Sequence, residues 1–401
     1  MRFETDTCQG MRMMRACGAA LALRLAVALC SGCPPVGAQS ERPAQQLTGG
    51  ELLLGLAKVG PGAAVPGVYA HRRSGELQRV LSHGEYPAWD KAHRRIALER
   101  EQELWVLDRA TGRLQQVQVS AGWLGGDLLV AAPFVRPAYE WTATGNLLLW
   151  YAWHMAHPSM AGTTGAPVTR RLPFKITKDM ESPGEPLINH PKLSIGAVTF
   201  SGDGKLGACE AYLPVVGVGR SDCAVLILST ESDGLRRLGL DGLEGTVVCN
   251  PLWNPTRSLL SVDVVSSGRT RQTLIVDPAV GGCWSLPYRS PLHNWSAAAA
   301  WSPDGRYLIA AQGPGLGLQE RVMVVFDLAD HEHPKPMRAV AGAFYHHQAV
   351  WAPDSLSLAV LQSQDGDLAR DFAPVVVVAD LSGKASPIAV PRGLRPVSLS
   401  W

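Results

Sequence analysis

The sequence predicts an all-β chain: a seven-bladed β-propeller of four-stranded antiparallel blades, closed by its own C-terminal strand. Three observations predict it. One block of residues recurs about every fifty positions, each copy carries an aromatic ring at the same place, and the chain ends on the start of a further copy.

Six internal blocks share an outline of apolar strand, aromatic anchor, polar turn and second apolar strand. They read PAWDKAHRRIALER from Pro87, YEWTATGNLLLWYA from Tyr139, VTFSGDGKLGACEA from Val198, PLWNPTRSLLSVDV from Pro251, AAWSPDGRYLIAAQ from Ala299 and AVWAPDSLSLAVLQ from Ala349. Their anchors are Trp89, Trp141, Phe200, Trp253, Trp301 and Trp351, spaced 52, 59, 53, 48 and 50 residues apart. A third strand follows each pair and often ends in an acid or serine, as at Asp108, Ser229, Asp277, Asp327 and Asp380; a fourth, weaker strand leads to the next anchor. Sandwiches and barrels also have short strands and many turns, but they do not repeat a sequence at this period.

The ends complete the ring. Residues 395–401 are another first strand, with Trp401 fifty residues after Trp351, and nothing follows to finish that blade. Residues 51–59, 67–72 and 76–82 supply three strands, so one blade is expected to join both termini and to remove the edge that an open sheet leaves unpaired. A six-bladed ring with Trp401 in a tail is the alternative. Each anchor indole buries about 150–250 Å² between blades, a gross gain of about 4–6 kcal/mol at about 25 cal/mol per Å² as an upper bound. In the turn after Trp301, Pro303 presets φ, Asp304 bonds its own backbone and Gly305 accepts a positive φ; this is structural chemistry.

Composition excludes other classes. Hydrophobic residues make up 46% of the chain, which rules out global disorder, and no apolar run after residue 40 is long enough to span a membrane. The formal charge is +2, and Arg2, Arg12, Arg15 and Arg24 against Glu4 and Asp6 account for it. The body is therefore near neutral and has no electrostatic reason to bind nucleic acid or anionic lipid.

Residues 1–38 read as an export signal: a basic stretch from Met11 to Arg15, then an apolar run from Ala16 to Leu29 interrupted by Arg24. Two exits compete. Val36-Gly37-Ala38 suits cleavage before Gln39, whereas residues 29–33 read as a lipobox with Cys33 as the lipidated residue. A linker over 39–48 and one propeller domain over 49–401 follow. The product is expected in the periplasm or tethered to the outer membrane, as a monomer. In an oxidising compartment Cys209 and Cys223, symmetric about residue 216, would face each other across a hairpin and are a candidate disulfide; two buried thiols are the alternative.

Trp301-Ser-Pro-Asp-Gly-Arg-Tyr-Leu-Ile-Ala310 resembles the repeat of TolB-like propellers of the bacterial envelope, also called PD40 repeats. Trp351-Ala-Pro-Asp and Trp253-Asn-Pro match it in part, and residues 200–205 more loosely. The resemblance covers roughly residues 50–401 and implies the fold. TolB carries an additional α/β domain that this sequence has no room for, so TolB's role with the Tol–Pal system is not carried over. Similar repeats also precede the hydrolase domain of prolyl-oligopeptidase relatives, but no GxSxG elbow occurs here.

Propeller ligands usually sit where the loops entering the first strands converge. Those loops carry His83 and Glu85, Arg136, His190, Cys249 and Asn250, His293 and Asn294, Tyr345, His346 and His347, and Arg395. Five histidines aimed at one face suit a polar ligand or a transition metal, but they precede their anchors by six, ten, eight, five and four residues, so ordinary polar loops are the competing reading. No metal or cofactor is assigned. Asp365, Asp367 and Asp371 lack the order of a calcium loop, and residues 313–317 lack the Lys-Ser/Thr of a phosphate loop. The aromatic stretch Trp150–Met155 beside the longest insertion is either a buried strand or a partner-binding lip. The expected function is a non-catalytic scaffold for a protein or glycan partner. The alternative is an enzyme (a lactonase, a lyase or a metal-assisted hydrolase) using His, Arg and Glu at the channel mouth.

Overall fold

A computed structural model of the chain describes residues 47, 50–59, 64–71, 75–100, 103–117, 139–141, 145–155, 168–176, 185–186, 194–214, 221–229, 235–240, 247–266, 270–291, 293–314, 321–340, 346–363 and 374–401. The signal segment with Cys33, together with Arg136, His190, Tyr345 and the Asp365–Asp371 loop, lies outside them.

Among the described residues every regular element is a strand, and the 28 strands fall into four-stranded antiparallel sets. Five sheets have four strands. The sixth has eight, being two consecutive sets joined where Arg271 pairs in parallel with Trp295. Second strands form the most deeply buried layer, as in Tyr307–Gly313, which is buried throughout, and Leu260–Val265.

The terminal strand is not a tail. Leu394–Ser400 pairs antiparallel with Leu52–Lys58, completing the set that Gly67–His71 and Leu77–Ser82 continue. Trp401 donates its indole N–H to the Gly50 carbonyl at 2.8 Å, and the Trp89 amide donates to Ser400 Oγ at 2.9 Å. First strands of neighbouring sets touch in succession from Ser194–Phe200 through Val247–Trp253, Trp295–Trp301 and His346–Trp351 to Leu394–Ser400. From there the contacts run on to Glu85–Trp89 and Tyr139–Trp141. Leu47, expected in the linker, is already buried in the core with Leu53 and Trp89.

The anchors do more than fill space. Trp141, Trp301 and Trp351 donate their indole N–H to the carbonyls of Ala88, Leu252 and Ala300 at 2.9, 3.0 and 3.2 Å, in each case the residue just before the preceding anchor. Each indole thus packs its ring and bonds its polar edge across the seam. Where the preceding anchor is Phe200, the pattern changes: Thr199 Oγ1 accepts from the Trp253 amide, and the Trp253 indole N–H has no partner.

At the opposite end the turns interlock. Asn254 Nδ2 donates to the Gly305 carbonyl at 2.7 Å, Thr256 Oγ1 to the Asp304 carbonyl at 3.0 Å, and the Asp304 amide to Ser355 Oγ at 3.0 Å. Gly305 sits at φ +71°, and a Cβ there would lie 2.1 Å from Thr256 Oγ1 and 2.3 Å from Asn254 Oδ1. Gly305→Ala is therefore expected to lower stability by about 1–3 kcal/mol through backbone strain, with a further loss as the neighbouring turn moves aside. Urea unfolding of the variant measures it, and an unchanged midpoint would show that the turns are not in register.

Candidate functional site

Six of the seven described first strands carry a bulge two to four residues before the anchor, Tyr139–Trp141 being the exception. The register slips between Glu85 and Ala88, Ile195 and Val198, Cys249 and Leu252, Ala298 and Ala300, and His346 and Gln348. Tyr86 and Asn250, each three residues before an anchor, take left-handed φ values of 51° and 52°. A bulge re-aims side chains locally, so this end of the ring is shaped separately from the regular ladder beneath it.

Two polar groupings sit there. The first lies at the seam that closes the ring. Glu85 is the direct cross-strand partner of Glu99. Burial, and then the Glu85 charge, pushes the Glu99 carboxyl above the ordinary range. Burial raises the Tyr86 hydroxyl, Glu85 and Glu99 push it further, and Arg395 from the terminal strand opposes them. Tyr139 donates its hydroxyl to the Tyr86 carbonyl, and its own pKa is held far up chiefly by burial. The expected residues Glu85 and Arg395 are thus brought to one phenol, Arg395 itself being exposed.

The second grouping is built around Asp263, which is fully buried. Its carboxylate accepts from Asn250 Nδ2 at 2.7 Å, Arg271 Nη2 at 2.6 Å, Thr273 Oγ1 at 2.7 Å and the Ala298 amide at 3.1 Å. Asn250 donates also to the Ala298 carbonyl at 2.8 Å, and Thr273 Oγ1 lies 3.1 Å from Ser296 Oγ. Three strands of one set and the first strand of the next are tied to one carboxylate. Burial works against the Arg271 charge, yet Asp263 beside it leaves the guanidinium pKa above its usual value. Cys249, next to Asn250, has its thiol pushed up to about 12, mainly by burial, so it is a poor nucleophile.

The remaining expected residues separate. His83 is exposed in a left-handed turn whose amide donates to the Pro66 carbonyl at 3.0 Å. His293 is half-buried, and its Nδ1 is enclosed without a hydrogen-bond partner. His346 and His347 open the strand His346–Trp351, with His346 opposite Gln362 and His347 at the bulge. Among the described residues no group of three or more His, Cys, Asp or Glu is placed to hold a metal ion.

The cysteines do not pair as expected. The hairpin register sets Cys209 opposite Leu226 and Cys223 opposite Tyr212, so the turn is centred one and a half residues later than the symmetry about residue 216 assumed. Three residues of offset along a strand is about 10 Å, beyond disulfide reach. Cys209 is a free, buried thiol, and burial raises its pKa to about 12.

Two functional features escaped the sequence reading. Asp263 stands inside the apolar run Leu260–Val265, with Arg271 and Thr273 at alternate positions of the next strand; an isolated acid there was the available signal. Gln348 donates to the Leu399 carbonyl at 2.8 Å and accepts from the Leu399 amide at 2.7 Å, clamping two first strands, and nothing local distinguishes it.

No family model matches the chain, and no curated protein matches it significantly. Solved structures do. An oligogalacturonate lyase in complex with manganese is 10% identical with a TM-score of 0.54, over 85% of this chain and 88% of that one. A puromycin hydrolase is 16% identical with a TM-score of 0.56, over 88% of this chain and 53% of its own, so this chain spans about half of that enzyme. TolB from Acinetobacter baumannii is 13% identical with a TM-score of 0.45, over 79% and 65%. The chain is a β-propeller. The blades of a propeller surround a central channel, and both polar groupings sit among the first strands and their neighbours.

Proposed function

We propose that this propeller is an exported, non-catalytic scaffold of seven blades that presents its mouth face to a protein or glycan partner in the cell envelope. The observation that carries the proposal is the repeated bulge. At that end the charges differ from blade to blade, with Glu85 and Arg395 at one seam, and Arg271 opening the strand Arg271–Asp277 and His293 just before the strand Trp295–Trp301 at another. Such a mosaic suits recognition of a surface, and the polar groups with the best geometry, Asp263, Asn250 and Gln348, serve the fold itself. Export rests on the basic and apolar segments before residue 38.

A second reading is a metal-assisted lyase or hydrolase acting at the same mouth. It is favoured by the partnerless Nδ1 of His293, by the start of the adjacent first strand at His346 and His347, and by a fold shared with a lyase solved in complex with manganese.

One preparation separates the two. Mature protein from envelope fractions is crosslinked for partner capture and assayed for metal. Under the scaffold reading, one partner is recovered repeatedly and is lost from an Arg395→Glu variant that folds normally. A stoichiometric transition metal that disappears from the double variant His346→Ala, His347→Ala would overturn it in favour of the enzyme.

A further inference from the structure

The seam between the sets beginning at Val247 and Trp295 differs from the other seams among the described residues. Only here does backbone pairing cross from one set to the next, through Arg271 and Trp295. The Arg271 amide donates to the Asn294 carbonyl at 3.2 Å, and the Asn294 amide to the Gly313 carbonyl at 3.3 Å, so residues 293–295 are held from both sides.

Trp295 is 5% exposed and is flanked by two guanidinium groups. Arg271 Cζ lies 5.4 Å from the ring centroid and Arg321 Cζ lies 3.8 Å from it, so the two groups are no further apart than the sum of those distances. Three polar atoms at this spot are enclosed without a hydrogen-bond partner: the Trp295 indole N–H, Arg271 Nε and His293 Nδ1. A buried orphan donor costs about 1–3 kcal/mol, and native folds rarely keep one. The indole N–H and the Nε of the Arg271 beside its ring need acceptors, and His293 with its unpartnered Nδ1 precedes the indole by two residues. Asp263 is not available for this, since four donors already occupy its oxygens.

We propose that this seam is a binding site for the carboxylate group of a ligand at the propeller mouth. It takes its donors from Trp295 Nε1, Arg271 Nε and His293, with Arg321, 3.8 Å from the ring centroid, supplying charge. The donors belong to flat groups that bond in their own planes, which suits a planar oxyanion held edge-on. Arg271 leaves 24% of its side chain exposed, which links the seam to the surface. The backbone staple at 293–295 fixes the indole beforehand, which lowers the ordering cost of binding. The inference deepens the reading of the mouth as a recognition face and rests on it.

The test follows the Trp295 indole N–H cross-peak in ¹H–¹⁵N spectra of the mature protein, assigned by its loss in Trp295→Phe. Acetate and D-glucuronate are expected to move this peak downfield in a saturable way, and glucose to leave it in place. Tighter binding of D-glucuronate than of acetate would indicate an acidic sugar as the source of the carboxylate; equal binding would indicate a free acid. Arg321→Gln, which leaves the Asp263 network intact, is expected to weaken D-glucuronate at least tenfold while moving the urea midpoint far less than Asp263→Ala does. A peak unmoved by either carboxylate, unchanged affinity in Arg321→Gln, or tighter binding of inorganic phosphate would each overturn the proposal. Partner capture that still succeeds would leave the scaffold reading standing.

Discussion

A chain that stops at Pro396 should fail to fold cooperatively, although it lacks only five residues. Those five carry most of the seam. Leu399 is 2% exposed and packs with Leu52, Leu54 and Leu56, so its loss alone removes about 2–5 kcal/mol on the scale of large-to-small core substitutions. Ser400, Trp401 and Leu399 also supply the bonds to the Trp89 amide, the Gly50 carbonyl and the Gln348 side chain. Without them the strand Leu52–Lys58 faces solvent along an apolar, unpaired edge, which favours aggregation. The combined loss is of the order of the whole stability of a domain, about 5–15 kcal/mol. Urea unfolding followed by circular dichroism, with size-exclusion chromatography, reads the result. A monodisperse truncated protein with an unchanged midpoint would show that the ring closes without its terminal strand. A milder form, Trp401→Ala, should weaken the same seam while leaving the strand paired.

Much of this was legible because a repeat states its own rules several times over. The anchors, the turns after them and the shared terminal set follow from period and register, and Trp89, Trp141, Trp253, Trp301 and Trp351 are all buried in the structure. What local patterns hide is what depends on contacts between blades. The indole-to-carbonyl bonds run between residues about fifty positions apart, and no window of sequence contains both ends. The site was legible only as a neighbourhood. Glu85 and Arg395 fall on first strands and His293 just before one, but a position in the sequence does not say which way a bulge turns the side chain. The hairpin of Cys209 shows the same limit: symmetry about a turn fixes a pairing only once the turn length is known, and that came from the register.

Asp263→Ala should be the most damaging single substitution in the body of the propeller, at about 3–5 kcal/mol. Removing one partner of a buried ion pair costs that much, because the other charge is left uncompensated, and here Arg271 would stay beside Trp295 with its counterion gone. The same change frees Asn250 Nδ2, Thr273 Oγ1 and the Ala298 amide, all bound to that carboxylate, and so loosens two sets at once. Asp263→Asn separates charge from shape. Its amide keeps one acceptor oxygen for Thr273 and the Ala298 amide but turns an NH₂ toward Arg271, so its loss should approach that of alanine if the ion pair dominates. It should stay near the value of one or two ordinary hydrogen bonds, about 1–3 kcal/mol, if the neutral bonds dominate. Replacing Arg271 by Met in the Asp263→Ala background removes the stranded charge and should recover part of the loss, which a purely steric role for the aspartate would not produce. Equilibrium unfolding of the parent, Asp263→Ala, Arg271→Met and the double variant closes this cycle. An alanine variant within 1 kcal/mol of the parent would mean that the carboxylate does not hold the seam, and the preorganised indole beside it would lose its support as well.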